Sequence, residues 1–120
     1  LEVGGGFVIG STDLRDNEWH HLAIVLDSDS TPNTSEVKLY VDGVEEQYTQ
    51  KDDKAFDTGA DRDVRIGHTH FGTRFKGLMD DYRIYDRAIT QAEIIDQVQQ
   101  AGINTGISTT VMSTTDFFPT

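Results

Sequence analysis

Glu18-Trp19-His20-His21-Leu22-Ala23-Ile24-Val25-Leu26-Asp27 is the stretch that decides the fold. An aromatic residue and a histidine pair lead into five consecutive apolar residues, and Asp27-Ser28-Asp29-Ser30 ends the run ahead of Pro32. A short apolar run between turn residues reads as a strand covered on both faces. It is too short for a buried helix, and Ile24 and Val25 favour a pleated surface.

Working outward, Glu36–Val41 alternates, with Val37, Leu39 and Val41 on one side and Lys38 and Tyr40 on the other. Asp42-Gly43 follows, a pair that tolerates positive φ at both positions, so a hairpin returning through Val44–Tyr48 is predicted. Upstream, Phe7–Gly10 is a short strand after the turn-prone Gly4-Gly5-Gly6, and Ser11–Asn17 is a polar loop. Downstream, Thr49–Asp63 is expected to be a polar loop, Val64–Gly67 a short strand, His68–Arg74 a loop and Phe75–Tyr85 the longest strand. The adjacent acids Asp80 and Asp81 in that strand point to an edge or to a specific partner such as Arg83 or Arg87.

A helix is predicted over Gln91–Gln100. Thr90 is an N-cap, Glu93 closes a capping box, Ile89 and Ile94 form a hydrophobic staple, and Gly102 stops the helix. From Ile103 onward the chain is rich in Thr and Ser, which suits a linker or an added strand about Thr110-Val111-Met112. The expected division is therefore residues 1–102 as a sandwich portion and 103–120 as a tail.

The 120 residues fit one domain or part of one. Asp and Glu outnumber Lys and Arg by 21 to 10, a formal charge of −11 that argues against binding nucleic acid or anionic membrane through the overall field. Cysteine is absent, which removes disulfides, thiolate chemistry and Cys-ligated zinc. No run approaches the ~18 apolar residues of a membrane-spanning helix.

Short strands, a hairpin and one late helix predict an all-β antiparallel sandwich. Five pieces in order also resemble one family. Glu18-Trp19-His20-His21-Leu22-Ala23, Leu39-Tyr40-Val41-Asp42-Gly43, Val64-Arg65-Ile66-Gly67, Phe75–Tyr85 and Arg87-Ala88-Ile89-Thr90 with Glu93-Ile94 are similar to the strands of the laminin-G-like branch of the concanavalin A-like lectin/glucanase jelly rolls. The resemblance implies two stacked antiparallel sheets. Only Leu1–Leu14 precede a strand that relatives place late, so the chain is expected to be a C-terminal portion of the domain, completed by strands from the parent protein or a neighbouring subunit.

The candidate sites follow. Trp19 is expected in or beside the core. His20 and His21 are adjacent on a strand, so they face opposite sides and do not chelate one ion together. His68 and His70 share a face in an extended segment and could pair on a transition metal, although a polar loop explains them equally. Asp27 and Asp29, with Ser30, Asn33 and Glu36 near, supply oxygen donors of the kind calcium takes, and turn chemistry accounts for the same residues. The acids Asp57, Asp61 and Asp63 form a weaker group of the same kind. Asp80 and Asp81 do not form the facing pair of a glycosidase, because neighbours on a strand point apart. No catalytic residues are assigned.

The expected function is a non-catalytic carbohydrate- or protein-binding module of a secreted or cell-surface multidomain protein, with calcium as the candidate cofactor. The rim loops Ser28–Ser35, Thr49–Asp63 and His68–Arg74 are its contact candidates. The alternatives are a structural segment of an extracellular assembly completed by another chain, and a fragment of a glycan-active enzyme.

Overall fold

The computed structural model describes residues 1–3, 6–27, 29–56, 63–69 and 71–103. The tail from residue 104, with its expected strand about Thr110–Met112, lies outside them, as do Asp57, Asp61 and His70. The elements are β1 (Glu2–Val3), β2 (Gly6–Gly10), β3 (Leu22–Leu26), β4 (Val37–Val41), β5 (Val44–Glu45), β6 (Tyr48–Asp52) and α1 (Gln91–Gln100), with a 3-10 turn at Thr34–Glu36. They make two antiparallel three-stranded sheets, ordered β1-β2-β6 and β3-β4-β5.

The second sheet grows from the stretch that opened the sequence. Leu22–Leu26 pairs in full register with Val41–Val37. The reversal that follows β4 uses Asp42 at φ 52° and Gly43 at φ 85°, the doubly positive turn whose twist matches an antiparallel pair. Opposed residues share a face, so one face of this sheet carries Ala23, Val25 and Tyr40, and the other carries Leu22, Ile24, Leu26, Val37, Leu39, Val41 and Val44.

Helix α1 covers the first face. Fully buried Ile94 packs against Val25 and Tyr40, with Ala23, Ala88 and Ile89 around them. The helix starts on the capping box read from the sequence: Thr90 Oγ1 accepts from Glu93 N–H at 3.2 Å, and Glu93 Oε2 accepts from Thr90 N–H at 2.7 Å. It ends as a Schellman motif. Gly102 at φ 72° donates to Gln99 C=O at 3.0 Å and Ile103 donates to Val98 C=O at 3.3 Å.

The Glu93 carboxylate also takes two bonds from Arg87, at 2.6 and 2.9 Å. That guanidinium first, and then the Thr90 amide, hold its pKa down to about 2. A depressed folded-state pKa gives stabilisation that is present above the ordinary value of 4.5 and lost as pH falls towards about 2. Helical circular dichroism should weaken across that window. In Glu93→Gln, which keeps an acceptor for Thr90 but no ion pair, the dependence should flatten.

The first sheet differs from expectation. Tyr48–Asp52 was expected partly in the return strand and partly in a loop, yet it forms β6 beside β2. Its sequence YTQKD has no apolar alternation to announce a strand, and the ladder with Phe7–Gly10 holds it instead. Thr34 ties the two sheets. It is fully buried, its hydroxyl donates to Asp52 C=O at 2.8 Å and accepts from Lys54 N–H at 2.9 Å, and its own N–H reaches Lys54 C=O at 2.9 Å.

Two expected strands do not form. Among the described residues Val64–Gly67 and Phe75–Tyr85 have no strand partner beyond the His68–Arg74 bridge. Their apolar side chains stand in solvent: Val64 is 80% exposed, Leu78 77% and Ile84 81%. A strand-like pattern needs a ladder and a face to pack on, and the described residues present neither to these segments.

Candidate binding surfaces

Four surfaces among the described residues are candidates for binding. The first is the apolar face of the β3-β4-β5 sheet. Val37, at one corner, is buried, whereas Leu22, Ile24 and Val44 are each more than half exposed. The same strand is an edge. Asp42 N–H donates to His21 C=O at 2.8 Å, so the ladder phase turns Ala23 and Val25 towards β4 and the main-chain groups of Leu22, Ile24 and Leu26 outward. No strand pairs with that outer side among the described residues. Unpaired main chain and apolar side chains therefore coincide along β3.

The second surface is a broad open concavity lined by Ile66, Gly67, His68, Arg74, Phe75, Gly77, Met79 and Tyr82. A small loop shapes it: Phe75 N–H donates to Gly67 C=O at 2.7 Å and Thr69 N–H to Thr73 C=O at 2.9 Å. Gly67 sits at φ 73°, the left-handed region that favours glycine, and a Cβ there would lie 2.5 Å from Met79 Cε, which would have to move. His68 Nδ1 is buried without a hydrogen-bond partner.

The third surface holds the candidate metal donors. Asp27 is exposed, and Asp29 Oδ1 accepts from Thr31 N–H at 2.7 Å, a local turn contact. No group of three or more His, Cys, Asp or Glu that could hold a metal forms among the described residues. Calcium takes six to eight oxygens. Whether Asp27 and Asp29 contribute to such a shell is read by calorimetric titration with calcium, where saturable heat that is lost in Asp29→Asn would show it.

The fourth is the acidic pair. Asp80 and Asp81 do not lie on a strand, so the strand alternation expected to point them apart does not operate here. Asp81 takes φ 55°, its N–H donates to Asp80 Oδ1 at 2.8 Å, and its carboxylate grips Arg83 at 2.9 and 3.2 Å. Both acids serve their own loop.

The histidine pair splits as expected. His20 contacts Asp16 and Asp42, while His21 Nε2 lies 3.2 Å from Gln97 Oε1 on α1. Trp19 departs from expectation: it is 56% exposed, because it precedes the first residue of β3 and no described element closes over it. A residue that sequence reasoning passed over is Glu46. Its carboxylate gathers Ser11 N–H at 2.7 Å, Thr12 N–H at 2.8 Å and the Thr12 hydroxyl at 2.5 Å. Burial pushes that carboxyl up, and these bonds outweigh it and leave it below the ordinary value.

A laminin-G family model, described as the concanavalin A-like lectin/glucanases superfamily, matches residues 2–95. The chain belongs to that superfamily. No curated protein matches it. Among solved structures, it is similar to an S-layer domain-containing protein (residues 221–444) from Clostridium thermocellum ATCC 27405. The TM-score is 0.52 at 22% identity, covering 74% of this chain and 43% of that one. This concanavalin-like chain thus spans less than half of that structure, and the likeness is one of fold. No helix among the described residues is long and apolar enough to cross a membrane.

Proposed function

We propose that this concanavalin-like chain is a non-catalytic recognition module of a secreted or cell-surface protein, and that its ligand is polypeptide, bound as an added strand at the outer edge of β3. One observation carries the proposal: Leu22, Ile24 and Leu26 offer outward main-chain groups on the same strand whose side chains form an open apolar face. An exposed edge with this composition is the template for strand addition, in which main-chain hydrogen bonds give affinity and alternate side chains give specificity. The added strand belongs to the parent protein or to a neighbouring subunit. The exposed apolar residues of Val64–Tyr85 support a fold finished by further chain. The surface location is supported by the family and by the S-layer neighbour's description. The non-catalytic role is supported by the local engagement of Asp80 and Asp81.

The test is a titration followed by amide chemical shifts, with a short peptide alternating valine and threonine as probe. Shifts are expected at Leu22, Ile24 and Leu26 and should vanish in Ile24→Lys, which places a charge on the apolar face. Shifts confined to His68–Tyr82, or none at β3, would remove the proposal.

A second function, glycan binding, is favoured by the concavity, where Phe75 and Tyr82 are each more than half exposed beside His68 and Arg74. Aromatic faces with adjacent polar groups suit sugar rings. A neutral and acidic oligosaccharide panel decides it. Binding lost in Tyr82→Ala would establish this site, and no binding across the panel would dismiss it.

A further inference from the structure

Three ionisable side chains meet where β3 begins. His20 Nδ1 lies 2.7 Å from Asp42 Oδ2, and its Nε2 lies 3.0 and 3.1 Å from the two oxygens of Asp16. An ionised carboxylate only accepts hydrogen bonds, and a neutral imidazole has a single N–H. Both contacts are therefore hydrogen bonds only in the imidazolium form. Either neutral tautomer turns a bare lone pair onto a carboxylate oxygen.

The two partners are not equivalent. The Asp42 side chain is 19% exposed, and its other oxygen is fixed by His21 N–H at 2.8 Å. It stands in the left-handed turn at φ 52°, so its position is set by the hairpin. The Asp16 side chain is 47% exposed and belongs to the loop between β2 and β3. Its backbone ties are local: Glu18 N–H at 2.9 Å, next to Asn17 at φ 63°. The far end of the same loop is pinned at Ser11 and Thr12 by Glu46. Residues 13–19 are thus anchored at one end by Glu46 and at the other by His20.

We propose that Asp16, His20 and Asp42 form a proton-operated latch, in which the imidazolium holds the loop 13–19 against the Asp42-Gly43 turn and loss of one proton releases Asp16. The neutral ring keeps Nδ1–H on Asp42, the better fixed partner, and leaves Nε2 without a proton facing Asp16. That carboxylate then turns to water, and the loop moves with Trp19 at its end. The charged groups acting on His20 are Asp42 from the turn and Asp16 from the loop; both raise its pKa above 6.5, against burial, which lowers it. The α1 side chains at this end, Gln91 on Gly43 C=O and Gln97 beside His21, are amides and carry no charge of their own. The sign follows: a raised folded-state pKa gives a contribution complete below the unfolded value and lost as pH rises through the folded one. The latch is closed in mild acid and opens towards alkaline pH.

Trp19 is the single tryptophan of the chain, so its emission reports the loop without labelling. A one-proton transition in that emission is expected, with its midpoint above the ordinary histidine value. It should be absent in His20→Gln, retained in His21→Gln, and moved to lower pH in Asp16→Asn. Emission that stays flat with pH, or a transition that persists in His20→Gln, would overturn the latch. Imidazole proton shifts in the unaltered protein give an independent reading should the variant fail to fold. A His20 ring that titrates at or below the ordinary value would equally overturn it.

Discussion

Ile94→Ala is expected to lower the unfolding free energy by about 2–5 kcal/mol. Ile94 is fully buried and is the helix residue in contact with both Val25 and Tyr40. Truncation removes apolar burial and leaves a cavity that a sheet on one side and a capped helix on the other cannot readily close. Domains of this kind have only about 5–15 kcal/mol of stability to lose. The loss should appear as a lower urea midpoint at nearly unchanged slope. Ile24→Ala is the matching control. Ile24 is on the same sheet, on the opposite face, and 57% exposed. Its truncation should change stability by no more than about 0.5 kcal/mol. Equal losses in the two variants would mean that both faces are covered.

Thr34→Val is the second large effect. The substitution keeps the shape and removes the hydroxyl that joins Asp52 C=O to Lys54 N–H. Burial leaves no water to replace it, and an orphaned buried group costs about 1–3 kcal/mol. Thr34→Ser separates hydroxyl from methyl. It keeps the bonds and loses one methyl, about 0.8 kcal/mol. The order expected in urea unfolding is therefore wild type, then Ser, then Val. If Val proved milder than Ser, the methyl contact rather than the hydroxyl would be what holds the two sheets at this point.

These residues also separate what was legible in the sequence from what was not. The β3–β4–β5 hairpin and α1 were legible because their determinants are local. Asp42-Gly43 supplies its own positive φ values, and Thr90, Glu93 and Gly102 satisfy the ends of α1 within a few residues. β6 was not legible, since YTQKD owes its conformation to a ladder with a strand some forty residues earlier in the chain. Val64–Gly67 and Phe75–Tyr85 failed in the opposite sense. Their alternation records a capacity to lie on a covered sheet, and whether cover exists is decided elsewhere. The same holds for Trp19, a large aromatic for which no described element provides a wall.

Among the sites, the chemistry of single residues was visible and their company was not. Asp42 read as a turn former and His20 as half of a strand pair. Nothing in a spacing of twenty-two residues announces that they touch at 2.7 Å, although Asp16 and His20, four apart across a polar turn, were a usable hint. Asp80 and Asp81 were read as strand neighbours that point apart, whereas the fold places them off any strand, with Asp81 in a left-handed turn and clamped to Arg83.

Hydrogen exchange of the β3 amides tests most directly whether this strand is an open edge. Ala23 and Val25 face β4 in the ladder, whereas Leu22, Ile24 and Leu26 face outward. The exchange rates should alternate along the strand, slow at Ala23 and Val25 and fast at Leu22, Ile24 and Leu26. Uniformly slow exchange from Leu22 to Leu26 would contradict it, because the outer edge would then already be paired.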